Sequence, residues 1–170
     1  KKQRFILYVP QDGVVAKKID KLAKTRIVDW EAHIIASVES YPARAPRATA
    51  KVAEDELILD IGPCSGAFIA GSMQLAETVV WNGAMGVTEV PSVQGPIGPF
   101  ANGTELIIDA LLGEFGHKPF SVLGGGDTVG YVEKRGLINN FNHVSTGGGA
   151  SMELMSGKKL PGVEALLSKD

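Results

Sequence analysis

Two glycine triplets stand behind short apolar runs in this sequence: Gly124-Gly125-Gly126 after Phe120–Leu123, and Gly147-Gly148-Gly149 after His143–Ser145. Glycine loses more backbone freedom on folding than any other residue, so three in a row suit a chain that must turn sharply or approach a ligand closely. Each triplet leads into a helix-like segment, from Val129 onward in one case and through Met152–Met155 in the other, which stops at Gly157. Strand, glycine turn, helix is the grammar of an open α/β sheet. The 21 glycines of the 170 residues gather at such strand ends and are not spread as in a linker.

Four runs read as buried parallel strands: Phe5–Val9, Thr78–Trp81, Phe120–Leu123 and His143–Ser145. Leu57–Ile61 reads as a fifth, with an edge position as the alternative. Helical spacing puts Ile69, Met73 and Ala76 on one face. It does the same for Leu106, Ala110 and Gly113, for Ile107 with Leu111, and for Val129, Val132 and Gly136. The expected fold is α/β, a three-layer open parallel sheet with helices on both faces, forming one domain, incomplete at its start, over residues 1–170. Residues 31–55, which include Tyr41-Pro42-Ala43-Arg44-Ala45-Pro46-Arg47, hold no sustained period and read as a surface insertion within it. Pro91–Pro99 reads as a loop.

Composition narrows the functional classes. A net charge of −2 leaves no basic footprint for nucleic acid and no polybasic membrane patch. No apolar run approaches the ~20 residues needed to span a bilayer. Phe5–Val9, although it follows Lys1-Lys2-Gln3-Arg4, is too short for a signal-peptide core. The lone cysteine, Cys64, cannot form an internal disulfide and fits a reducing compartment. A cytoplasmic chain is expected, and the missing initiator methionine suggests a fragment or a processed piece.

Three strand ends carry chemistry-like sequence, where loops lead into helix N-termini whose free N–H groups suit phosphate. After Val79-Val80-Trp81 come Asn82 and Gly83, and Glu89 follows seven residues after Asn82. Glu89 is either an acceptor for ribose hydroxyls or an exposed glutamate beyond a capped turn. In Gly124-Gly125-Gly126-Asp127-Thr128 the glycines let the backbone wrap an anion. Asp127 is then either a carboxylate for a hard cation such as Mg²⁺ or an N-cap, and Thr128 offers a hydroxyl or N–H to phosphate. Gly147-Gly148-Gly149 forms an anion nest from backbone alone. Other phosphate signatures fail: Gly157-Lys158 is followed by Lys159, which breaks a Walker loop, and no acid follows the Gly124-x-Gly126 turn at the spacing of a dinucleotide fingerprint. His33, His117 and His143 lack metal-ligand spacing.

The segments VVWNGAMGVTE, GGGDTVGYVEKRGL and HVSTGGGASMELMSGKKLPGVEAL occur in this order, joined by Leu59-Asp60-Ile61-Gly62-Pro63 and, more loosely, Tyr8-Val9-Pro10-Gln11-Asp12. Together they resemble phosphoglycerate kinase over most of residues 5–30 and 57–167. The resemblance implies the nucleotide side of a cytosolic glycolytic enzyme that moves the acyl phosphate of 1,3-bisphosphoglycerate to Mg-ADP, giving ATP and 3-phosphoglycerate. It implies that Asn82, Gly83, Gly125, Gly126 and Thr128 meet nucleotide phosphates, Glu89 the ribose and Leu59 the adenine. Asp127 would meet Mg²⁺, and Gly147, Gly148 and Gly149 the transferred phosphoryl group. The phosphoglycerate would be held by an amino-terminal domain outside these residues, so this chain alone is expected to be inactive. Alternatives are a non-catalytic nucleotide-binding module and a fragment that binds nothing well. Ala84 departs from the family's usual proline and Cys64 from a common lysine, and the loops at 31–55 and 91–99 are longer than the family's.

Overall fold

The computed structural model describes residues 6–30, 35–36, 51–145 and 147–167. Contacts group the chain into two compact units, 1–72 with 85–110, and 73–84 with 111–170. The chain is an α/β protein that contains a parallel sheet and helices, as the glycine turns suggest.

The first unit contains β1 (Ile6–Leu7), β2 (Asp12–Ala16), β3 (Arg26–Asp29), β4 (Ile35–Ala36) and β5 (Leu57–Ile61). Its strand pairing differs from expectation. The run Phe5–Val9 contributes only the two-residue β1, which is exposed and pairs antiparallel with β4, so it is not a buried parallel strand in the described residues. The chain re-enters sheet structure at Asp12, and β2 is the centre of an antiparallel sheet in the order β3-β2-β5. Leu57–Ile61 is a strand on the edge of that sheet, its alternative reading. Of residues 31–55, residues 31–34 and 37–50 lie outside the described residues; 35–36 form β4, and 51–55 are irregular.

Two helices begin in this unit, α1 (Pro63–Met73) and α2 (Asn102–Leu112). Each has a carboxylate from a distant strand at its N-terminus. Asp12 Oδ2 accepts the Cys64 N–H at 2.9 Å and Oδ1 that of Ser65 at 2.8 Å. The Ser65 hydroxyl in turn accepts the N–H groups of Gln11 (2.8 Å) and Asp12 (3.2 Å). Asp60 closes α2 in the same way, Oδ2 accepting the Gly103 N–H at 2.9 Å. Both aspartates are buried. Apolar packing backs this network: Ala16, Leu59 and Phe100 form a core cluster, with Val14, Ala23, Val87 and Val90 against it.

The second unit holds β6 (Thr78–Asn82), β7 (Phe120–Gly124) and β8 (His143–Ser145) in one parallel sheet, in that order. All three were legible as parallel strands, and the ends of β6 and β7 extend one residue further than expected, to Asn82 and Gly124. Helix α3 (Gly126–Lys134) follows β7 and α4 (Gly148–Met155) follows β8; α5 (Pro161–Leu167) ends the described chain. Val132, Leu123 and Trp81 are buried, and the Trp81 ring sits 6.4 Å from Phe141 in a tilted arrangement. Gly136 (φ 70°) and Gly157 (φ 82°) lie just past α3 and α4, in the left-handed region where a helix commonly ends. Among the described residues no helix is long and apolar enough to cross a membrane.

Candidate functional site

In the second unit the three strand ends lie in register. Asn82 pairs with Gly124 across β6–β7, and Gly124 with Ser145 across β7–β8, so one row of the sheet leads to all three turns. Parallel strands deliver their carboxyl ends to the same edge, which is where such sheets bind ligands.

The β7–α3 turn is built on Gly125. Its φ of 89° is accessible to glycine at little cost, and a Cβ there would stand 2.5 Å from Asn82 Oδ1. Gly125 is also the N-cap of α3 and gives the helix no side-chain cap. Gly147 does the same for α4, again without a side-chain cap. A Cβ on Gly148 would collide with the Gly125 amide nitrogen, lie 2.8 Å from the Gly125 Cα and stand 3.3 Å from Asn82 Oδ1. The two glycine turns therefore meet backbone to backbone, with the Asn82 amide beside them. Two helix N-termini without side-chain caps converge, and each carries partial positive charge.

The predicted residues divide by exposure. Asn82, Gly83, Gly126, Asp127, Gly147 and Gly149 are exposed, Gly125 is half-buried and Gly148 buried. Asp127 stands in the first turn of α3 and makes no ion pair among the described residues. Thr128 is fully buried, and its hydroxyl oxygen accepts the Gly83 N–H at 3.0 Å. That bond fixes the turn after β6 and leaves the hydroxyl its own hydrogen to donate. The same turn is held from the other side by the Trp81 indole N–H, which donates to the Gly83 carbonyl at 2.7 Å. Sequence reading missed this holding role of Trp81; a tryptophan directly before Asn-Gly was the available signal. Behind α4, the hydroxyls of Ser145 and Ser151 lie 2.8 Å apart.

Leu59 and Glu89 belong to the first unit. Leu59 is buried in the cluster with Ala16 and Phe100, and its carbonyl accepts the Val87 N–H at 2.9 Å. Glu89 is exposed. Cys64 is a free, exposed thiol, and the neighbouring Asp12 carboxylate raises its pKa, which disfavours the reactive thiolate. No cluster of three or more His, Cys, Asp or Glu suited to a metal exists among the described residues. A single exposed carboxylate at a glycine-capped helix start suits Mg²⁺, which commonly takes one or two carboxylates together with phosphate oxygens and water.

Comparison with known proteins fits this geometry. The family model described as phosphoglycerate kinase matches residues 1–158. Phosphoglycerate kinase of Desulforapulum autotrophicum is 41% identical over 164 residues, 96% of this chain and 34% of that protein. The enzyme of Rhodospirillum centenum is 39% identical over 163 residues, 94% of this chain and 34% of its own length. Among solved structures, phosphoglycerate kinase from Coxiella burnetii superposes with a TM-score of 0.68 at 31% identity, covering 94% of this chain and 33% of that one. The chain thus spans about a third of the length of these relatives, and it belongs to the phosphoglycerate kinase family.

Proposed function

We propose that this chain is the carboxy-terminal part of a phosphoglycerate kinase, a single nucleotide-binding domain over residues 1–170 that holds Mg-ADP or Mg-ATP. It would serve phosphoryl transfer between 1,3-bisphosphoglycerate and ADP in glycolysis, in the cytoplasm. The observation that carries this reading is the backbone meeting of Gly125 and Gly148 at two helix N-termini without side-chain caps, beside Asn82.

In this mechanism the residues bind and orient. The N–H groups at the start of α3, around Gly126 and Asp127, receive nucleotide phosphate oxygens, and Asn82 and Gly83 border them. Thr128 holds Gly83 through its oxygen, and its hydroxyl hydrogen and its N–H remain the donor candidates for phosphate. The start of α4, Gly147 to Gly149, faces the phosphoryl group with amide donors that bring no competing charge. Asp127 would hold Mg²⁺, which neutralises negative charge on the phosphates when bound. Glu89 would accept from ribose hydroxyls, and the edge of the cluster around Leu59 would border the adenine. Phosphoryl transfer depends chiefly on positioning and electrostatic stabilisation, which amide donors at helix starts supply without reorganising.

The phosphoglycerate would be held by residues outside this chain. Bringing two reactants into productive geometry accounts for ~7–11 kcal/mol of a barrier. The 170 residues alone are therefore expected to give no turnover in a coupled ATP assay. Calorimetry tests the binding half. Asp127→Asn should weaken Mg-ADP binding far more than metal-free ADP binding. Equal losses would make Asp127 a helix cap and remove the metal from this reading.

A further inference from the structure

Glu89 is exposed and lies in a stretch without regular secondary structure, so its placement must come from the residues that hold the preceding turn. Three contacts hold it, all within the first unit. The Met85 N–H donates to Thr104 Oγ at 3.0 Å, and the Val87 N–H donates to the Leu59 carbonyl at 2.9 Å. Between them, Gly86 lies so close to Asp60 that a Cβ would overlap the carboxylate and the Phe100 carbonyl.

Asp60 ties these contacts together. It is 3% exposed, and its carboxylate accepts the N–H groups of Ile61 (2.8 Å), Gly103 (2.9 Å) and Asn102. One side chain thereby fixes the end of β5, the first turn of α2 and the space against which Gly86 packs. Thr104 is the next residue along α2, buried, so the anchor for Met85 stands where Asp60 puts it. Glu89 follows Val87 by two residues, too few for the chain to lose the register these contacts impose.

We propose that Asp60 and Thr104 are positioning residues for nucleotide binding, holding the Met85–Glu89 segment so that the Glu89 carboxylate meets the ribose. The proposal rests on the reading of Glu89 as the ribose acceptor. A carboxylate that merely capped α2 would affect stability but not the choice between ligands that differ only in their ribose hydroxyls.

Calorimetry with Mg-ADP and with the Mg complex of 2′,3′-dideoxy-ADP, on the full chain, separates the possibilities. The wild type should prefer ADP by about tenfold, the scale of a hydrogen bond to a charged group, and Glu89→Ala should erase that preference. Asp60→Asn and Thr104→Val should each reduce it to about threefold or less while leaving dideoxy-ADP affinity near wild type. If both keep the wild-type preference while Glu89→Ala loses it, the positioning role is overturned and the ribose reading stands. If Glu89→Ala keeps the preference, or the wild type shows none or binds neither ligand, the ribose reading fails and takes the proposal with it. Should Asp60→Asn not fold, Thr104→Val decides through amide exchange of Val87 as well. Its own acceptor is intact in that variant, so faster exchange supports a jointly held segment and unchanged exchange refutes it.

Discussion

In the first unit the N-termini of α1 and α2 are closed by buried carboxylates from distant strands, Asp12 and Asp60. In the second, α3 and α4 start from Gly125 and Gly147 with no side-chain cap. A capping carboxylate satisfies free N–H groups and stabilises the helix, but it also occupies the position an anion would take. A glycine leaves both the N–H groups and the space for something else. One chain thus starts its helices in two ways, closed by an internal carboxylate brace or left open at a glycine.

The largest test of this contrast removes a brace. Asp12→Ala leaves the Cys64 and Ser65 N–H groups without their acceptor and should cost about 3–4 kcal/mol in urea unfolding. A loss no larger than that of a surface substitution would end the idea that the first unit depends on its carboxylates.

Asp60 makes the contrast sensitive to pH. Burial pushes its pKa from 3.8 up to about 6, against the Gly103, Ile61 and Asn102 N–H groups that pull it down. An acid whose folded pKa exceeds its unfolded value binds more protons when folded. Its contribution to stability is therefore present below about pH 4 and lost as pH rises to about 6. The expected loss across that window is roughly 2–3 kcal/mol, and Asp60→Asn should flatten it. A slope that persists in the variant would assign the effect to another group.

In the second unit the decisive change is steric. Gly148→Ala drives a Cβ into the Gly125 backbone and should destabilise by about 2 kcal/mol, whereas Gly149→Ala, with open space around it, should not suffer that overlap. Similar losses in thermal melts would mean that the two turns do not pack as described.

The smallest effect is the most pointed, because two readouts should move in opposite directions. Gly147 has φ −96° and ψ 51°, and among the described residues a Cβ there meets only Ala150 Cβ, at 4.0 Å, so an aspartate side chain has room. Gly147→Asp should give α4 the cap it lacks and add a few tenths of a kcal/mol, while lowering affinity for phosphate-bearing ligands. Unchanged Mg-ADP affinity would remove α4 from the proposed nucleotide site.

The open glycine starts of α3 and α4 were far more legible in the sequence than the braces. Gly124–Gly126 and Gly147–Gly149 announce their turns locally, since strand, turn and helix are contiguous in sequence. The cap on α1 joins Asp12 to Cys64 and Ser65, 52 and 53 residues away, and nothing in either local pattern marks the partner. Asp60 and Gly103 are 43 residues apart and equally silent. The hairpin β2–β3 escaped because Lys17–Thr25 between its strands is long and polar, and because β3 shows Ile27 to solvent, blurring the alternation that marks a strand. Thr128 was seen as a phosphate contact because it follows Asp127; its bond to Gly83 spans 45 residues.

Each unit also contains one of the two tryptophans, and each indole N–H donates to a backbone carbonyl at 2.7 Å, Trp30 to Pro10 and Trp81 to Gly83. The molecule therefore carries its own pair of optical probes. Trp30→Phe leaves an emission signal that reports on the turn after β6, and Trp81→Phe leaves one that reports on the irregular segment leading into β2. Comparing the two melting curves would show whether the halves lose their structure in one step or in succession, and nucleotide should change the spectrum of the first variant before that of the second.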